Sequence, residues 1–188
     1  MNDVDILKKI EKKVLWLACW MIHNANHIRE NQDGLKVGGH QASSASIVSI
    51  MTALYFNILR PEDRVAVKPH ASPVFHAIQY LSGLQTKEKI ENFRGFGGAQ
   101  SYPSRTKDID DVDISTGSVG LGVAMTSFIS LIQDYIARKK FYNNRQLGRM
   151  IALVGDAELD EGNVYECLQE GWKHDLRNVW WIIDYNRQ

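Results

Sequence analysis

The chain has 188 residues, 44% of them hydrophobic and 23% charged, which allows one sizeable core and excludes a disordered chain. Lys plus Arg and Asp plus Glu each total 22, so the formal net charge is zero, and nucleic-acid or polyanion binding through bulk charge is excluded. No run approaches the roughly 18 apolar residues of a membrane span, the Met-Asn-Asp-Val-Asp start lacks the layout of a secretion signal, and Cys19 and Cys167 lack CxxC spacing, so the expectation is a cytoplasmic protein with reduced thiols and no membrane partner.

In chain order, apolar residues at helical spacing from Ile6 to Glu30 predict one long helix or two, with Trp16 and Trp20 as packing residues. Ser43 or Ser44 is placed to cap a helix running to about Leu59, where Arg60-Pro61-Glu62-Asp63 breaks it. Arg64 to Lys68 reads as a short strand. Ser72-Pro73 suits a helix start, the helix running to about Leu81, with His76 two turns in as a structural residue. Gln85 to Phe93 is a further short helix. The stretch from Arg94 to Asp113 is a long loop of the kind that shapes an active site. Gly120 to Phe141 reads as a helix with Leu121, Met125, Phe128, Ile132 and Ile136 on one face, and Leu159 to Trp172 as another.

The apolar run Ile151–Val154 is too short for an independent helix and reads as a buried parallel strand, and the run Val179–Ile183 is expected to lie beside it. The first delivers Gly155-Asp156 to its C-terminal end, the second Asn186, and ligands of open α/β sheets collect at that edge. Gly155 admits close backbone approach to a phosphate. One carboxylate, one amide oxygen and a loop carbonyl suit Mg²⁺, whose remaining ligands would come from a diphosphate. Asp156, Glu158, Asp160 and Glu161 crowd one helix start. Of these only Asp156 is read as a ligand, and Glu158 and Asp160 as solvated helix-start charges.

Gly155-Asp156 followed thirty residues later by Asn186 resembles the thiamine diphosphate motif of the transketolase and 2-oxo acid dehydrogenase superfamily. Further segments resemble that family in the same order: Gly38-Gly39-His40, Lys68-Pro69-His70-Ala71-Ser72-Pro73, Thr116-Gly117-Ser118-Val119-Gly120 and Glu161-Gly162 with Glu166. The resemblance implies that Asp156 and Asn186 bind Mg²⁺ through side chains and Gln188 through its carbonyl. It implies that His70, Gly117, Ser118, Val119, Gly155, Ala157 and Asn186 surround thiamine diphosphate, and that Glu161 and Glu166 lie between subunits. His40, His70 and Tyr102 become candidates for polarising the substrate and handling protons. Ala157 replaces the family's usual glycine, which would hinder binding if that position needs positive φ.

Glu91-Asn-Phe-Arg-Gly with Ser101-Tyr102-Pro103 looks most like the homodimeric pyruvate dehydrogenase first component, because transketolases put a His where Tyr102 stands. Glu161-Gly162 leans the other way, towards transketolase. The resemblance therefore implies decarboxylation of a small 2-oxo acid, with two-carbon transfer of the transketolase type, or an inactive assembly subunit, as alternatives. The fold expected is α/β, a parallel sheet flanked by helices, the diphosphate-binding domain of a thiamine diphosphate fold. Residues 1–188 are read as one such domain, incomplete at its C-terminus, with 1–35 a helical extension. The partners implied are a pyrimidine-binding domain or subunit carrying the activating glutamate, a homo- or hetero-oligomeric assembly, and a lipoyl-bearing component.

Overall fold

The computed structural model describes residues 3–30, 34–141 and 146–187. The chain divides into two compact units, Met1–Leu59 with Pro69–Val112, and Arg60–Lys68 with Asp113–Gln188.

The first unit is helical. Helix α1 (Asp3–His23) continues into a π-helical turn, Asn24–Ile28, so the expected Ile6–Glu30 helix is continuous in sequence but changes pitch near its end. Helices α2 (Gln41–Ala45) and α3 (Val48–Ala53) follow, and α3 closes in a second π turn, Leu54–Ile58. The N-cap position is His40, and Ser43 and Ser44 are buried inside α2, so the helix starts earlier than the serines suggested. Helix α4 (Ser72–Leu81), with Pro73 in its first turn, is buried along most of its length and packs on α1, α2 and α3. Val14, Met21, Ile47, Met51, Phe75 and Ile78 are core residues of this unit. Trp16 stacks on Trp20 at 6.3 Å while staying largely exposed. Helix α5 (Lys87–Glu91) is capped by Thr86, whose side chain accepts from Lys89 N. Residues 94–112 then form no helix or strand, as expected of the loop.

The second unit is a three-stranded parallel sheet in the order β1-β2-β3, built from β1 (Arg64–Ala66), β2 (Met150–Gly155) and β3 (Val179–Asp184). In register, Ala66 faces Ala152 and Gly155 faces Asp184. Helix α6 (Leu121–Arg138) packs on all three strands and on α7 (Gly162–Lys173). Val123 of α6, Ala152 and Val154 of β2, and Val164 and Cys167 of α7 form a core cluster against which Trp181 packs.

The buried face of α6 differs from the expected one. Val123, Thr126, Ser127, Ser130 and Gln133 are buried, whereas Leu121, Phe128 and Ile132 are exposed. Small polar residues let the helix approach the sheet closely, and their groups are satisfied there: Thr126 Oγ1 donates to Val123 O, Ser130 Oγ to Asn178 Oδ1 and Gln133 Nε2 to Gly148 O. Hydrophobic periodicity alone selects the wrong face because the inward stripe is not apolar.

Asp63 ties the start of β1 to the start of β2. It accepts from Arg149 N at 2.7 Å, from the Arg149 guanidinium, and from Arg60 N at 2.9 Å. Burial alone would raise its carboxyl, but the Arg149 and Arg60 bonds outweigh burial and hold it below the usual carboxylate range. A depressed folded-state value gives stability that is present above the unfolded value, about 3.9, and is lost as pH falls through the folded one. Asp63→Asn is therefore expected to cost about 2–3 kcal/mol at pH 7, with the deficit shrinking below about pH 4. Urea unfolding of both proteins across pH tests this, and a pH-independent difference contradicts it.

Candidate functional site

Parallel strands end at one edge, and each strand here hands on to polar residues. Beyond β1 comes Lys68, beyond β2 comes Asp156, and β3 finishes on Asp184 with Asn186 and Arg187 following. Lys68 is buried, and its Nζ lies 2.6 Å from Asp184 Oδ2. Asn186 Nδ2 donates to the same Asp184 oxygen at 3.4 Å, and Asn186 N donates to Asp184 O. Arg187, at φ +61°, turns the chain so that its N–H donates to Asp156 Oδ2 at 2.7 Å. Asp156 Oδ1 accepts from Ala157 N at 3.1 Å. The two residues expected as metal ligands thus come from adjacent strand ends whose loops are hydrogen-bonded to each other. Gln188, the third, lies outside the described residues.

A Cβ built on Gly155 would meet nothing nearer than Glu158 Cγ at 3.8 Å and Lys68 Nζ at 3.9 Å. The loop therefore lies beside a cation, in keeping with a phosphate. Hard carboxylate and amide oxygens next to an ammonium group fit Mg²⁺ with a diphosphate. Ala157 does not have positive φ, so its methyl group meets no backbone conflict in the short 3-10 turn Asp156–Asp160.

Glu158 corrects the reading of it as a solvated charge, because the 3-10 turn directs it inward and leaves it 8% exposed. Burial pushes its carboxyl up, while the Lys68 charge and backbone hydrogen bonds from Gly120 and Gly155 act against that rise. The glycine-rich turn is anchored by Thr116 Oγ1, which donates to Val67 O at 2.7 Å. Gly120 closes it at φ +76°, where a Cβ would fall 2.6 Å from Asn163 Oδ1 and 2.9 Å from Val164 Cγ2. Gly117, Ser118 and Val119 are exposed at its tip, and Asp160, Glu161 and Glu166 are exposed around the start of α7.

In the helical unit, Gly38 N donates to Asn26 Oδ1 at 2.7 Å and Asn26 Nδ2 donates to Gly39 O at 3.1 Å. Gly39 has φ +85°, and the Arg94 guanidinium lies 3.1–3.3 Å from where its Cβ would be. The same guanidinium donates to Val37 O at 2.7 Å. The exposed His40 is held at the start of α2 by this arrangement. Burial lowers Arg94 from the usual guanidinium value, and the Tyr102 hydroxyl opposes that shift; Tyr102 itself is half-exposed. His70 is exposed in the turn Pro69–Ala71, and His76 is fully buried.

Sequence reasoning missed Lys68, Asp184 and Arg94 as parts of these arrangements. Charged residues directly after a short apolar strand, as in Val67-Lys68 and Ile183-Asp184, were the available signal for the first two.

A family model described as transketolase, thiamine diphosphate binding domain, matches residues 37–187. Along its whole length the chain is 26% identical to 21% of the pyruvate dehydrogenase E1 component of Mycolicibacterium smegmatis. Over 79% of its length it is 30% identical to 24% of transketolase-like protein 2 of Mus musculus. It therefore spans about a fifth to a quarter of the curated relatives it matches. Among solved structures, the transketolase of Leishmania mexicana matches 94% of the chain and 27% of its own at TM-score 0.79 and 19% identity. The transketolase of Campylobacter jejuni matches 97% and 28% at TM-score 0.76 and 25% identity.

A buried ion pair that loses one member leaves the other charge uncompensated. Asp184→Ala is expected to destabilise the chain by about 3–5 kcal/mol, and adding Lys68→Met should recover at least half of the loss. Urea unfolding of the two single variants and the double variant measures the coupling, and additive losses would contradict it.

Proposed function

Because the chain belongs to the transketolase thiamine diphosphate-binding domain family, we propose that it is the thiamine diphosphate- and Mg²⁺-binding part of a 2-oxo acid decarboxylating component of the pyruvate dehydrogenase type. The observation that carries this reading is the Arg187 N–H on Asp156 Oδ2, which joins the loop bearing Asn186 to the loop bearing Asp156. In this proposal Asp156 and Asn186 give side-chain oxygens to the metal, and Gln188 its carbonyl. Gly155 and Ala157 lie against the diphosphate, and His70 and the Gly117-Ser118-Val119 turn complete the surroundings of the cofactor. Lys68 adds a positive charge near the phosphates while held by Asp184.

Bound thiamine diphosphate supplies a carbon nucleophile and an electron sink for loss of carbon dioxide from a 2-oxo acid. This chain's own residues orient and exchange protons around it. His40 and His70 have side chains suited to proton transfer near neutral pH, and the Tyr102 hydroxyl can donate one hydrogen bond to a small keto acid. Tyr102 brings no positive charge for a sugar phosphate, which favours the 2-oxo acid. Glu161-Gly162 is the observation on the other side, and it supports transketolase-type two-carbon transfer as the second reading. Glu161 and Glu166 face a partner subunit in either case, and the activating glutamate comes from a pyrimidine-binding domain. In the dehydrogenase reading a lipoyl-bearing component receives the two-carbon unit.

Calorimetric titration with thiamine diphosphate and Mg²⁺ tests the site. Binding is expected for the chain, dependent on Mg²⁺, and at least tenfold weaker in Asp156→Ala. Equal affinity in the variant would overturn the assignment. In the presence of a pyrimidine-binding partner, release of carbon dioxide from pyruvate supports the dehydrogenase reading, and transfer from a ketose phosphate supports the other.

A further inference from the structure

Inside the helical unit, α4 meets the 94–112 loop at His76, which is fully buried. The His76 Nε2 lies 2.7 Å from Gln100 O, an oxygen that can only accept, so Nε2 carries a hydrogen and donates it. The Nδ1 lies 2.6 Å from Asp110 Oδ2. A carboxylate oxygen of Asp108 completes the group, with all three ligand atoms within 4.8 Å of one another. The Asp110 side chain is 0% exposed, and its Oδ1 takes no hydrogen bond.

With the hydrogen on Nε2, the Nδ1 lone pair faces Asp110 Oδ2 with only Gln85 Nε2, at 3.5 Å, beside it, and the half-buried Asp108 brings a second carboxylate to the same place. A proton on Nδ1 cancels one carboxylate charge and leaves Asp110 Oδ1 bare. A divalent cation balances both carboxylates, takes up the Nδ1 lone pair and offers Oδ1 a partner. The surrounding bonds match those that orient metal ligands, since a ligating His donates its other N–H to a carbonyl or carboxylate and ligating carboxylates are themselves hydrogen-bonded. Gln85 Nε2 donates to Asp110 Oδ2 at 2.9 Å, Gln100 N to Asp108 Oδ1 at 2.9 Å and Ser104 N to Asp108 Oδ2 at 2.8 Å.

We propose that His76 Nδ1, Asp108 and Asp110 form a largely buried site for a divalent transition metal within the helical unit. One imidazole and two carboxylates without thiolate suit Zn²⁺ or Mn²⁺. Metal–ligand distances of about 2.0–2.2 Å set donor atoms roughly 3.3 Å apart, so Nδ1 and Asp110 Oδ2 part by less than an ångström as the metal replaces the proton. The metal staples the loop to α4 on both sides of Tyr102, through Gln100 and Ser104.

The test is titration of the chelator-stripped chain with Zn²⁺ against a chromophoric competitor, with bound metal counted by mass spectrometry. One equivalent is expected in the chain and in Asp156→Ala. Affinity should fall by roughly tenfold or more in Asp108→Asn and Asp110→Asn, with unchanged far-UV circular dichroism. X-ray absorption of the Zn²⁺-loaded unsubstituted chain needs no variant to fold, and should show one imidazole with oxygen ligands. The proposal is overturned by the absence of stoichiometric metal, by an affinity indifferent to both Asn substitutions, by sulfur in the shell, or by two imidazoles, the signature of the His23–His27 pair, whose rings lie 5.0 Å apart.

Discussion

The parallel register of β2 against β3 is the constraint on which the candidate site depends. Setting Gly155 opposite Asp184 makes the two loops beyond them start side by side, and only then can Arg187 N reach Asp156 and Asn186 share Asp184 with Lys68. Side-chain direction has period two along a strand, so a one-residue slip would turn Asp184 to the opposite face and leave Lys68 buried without it. The ion pair and the register therefore protect each other. Burying two charges costs much of what their attraction returns, so the pair adds little net stability over an apolar replacement.

Around that edge the chain uses backbone N–H groups to hold a carboxylate in a fixed position. Asp156 accepts from Ala157 N and from Arg187 N. Loops that carry ligands are normally mobile, and such bonds restrict them before any ligand arrives, which lowers the ordering cost of binding. Gly120 contributes through a left-handed backbone in a space too small for a Cβ. The Gly38-Gly39 segment is held in the same way from two sides, by Asn26 and Arg94.

Much of this was legible in the residues. The strands were readable because short apolar runs bounded by Gly-Asp and Asp-Tyr-Asn admit few other structures, and the α4 start because Ser72-Pro73 is good helix-opening chemistry. Membership of the thiamine diphosphate-binding family was legible in motifs lying in one order along the chain. What could not be read were features that depend on tertiary burial. Glu158 looks like a solvated charge among other acids until a 3-10 turn points it inward. The α6 face that meets the sheet is made of Thr, Ser and Gln, so the apolar stripe at Leu121, Phe128 and Ile132 misled. Ser43 and Ser44 resembled caps, but Gly39 at φ +85° turns the chain into the helix earlier, at His40.

The most direct measurement of the central claim, that this sheet edge is built to hold a metal-bound diphosphate, is a crystal structure of the chain grown with thiamine diphosphate and Mg²⁺. The account predicts the metal on the side-chain oxygens of Asp156 and Asn186, with the diphosphate against Gly155 and the Lys68–Asp184 pair intact. Diphosphate bound away from this edge, or a metal there that touches neither Asp156 nor Asn186, would contradict it.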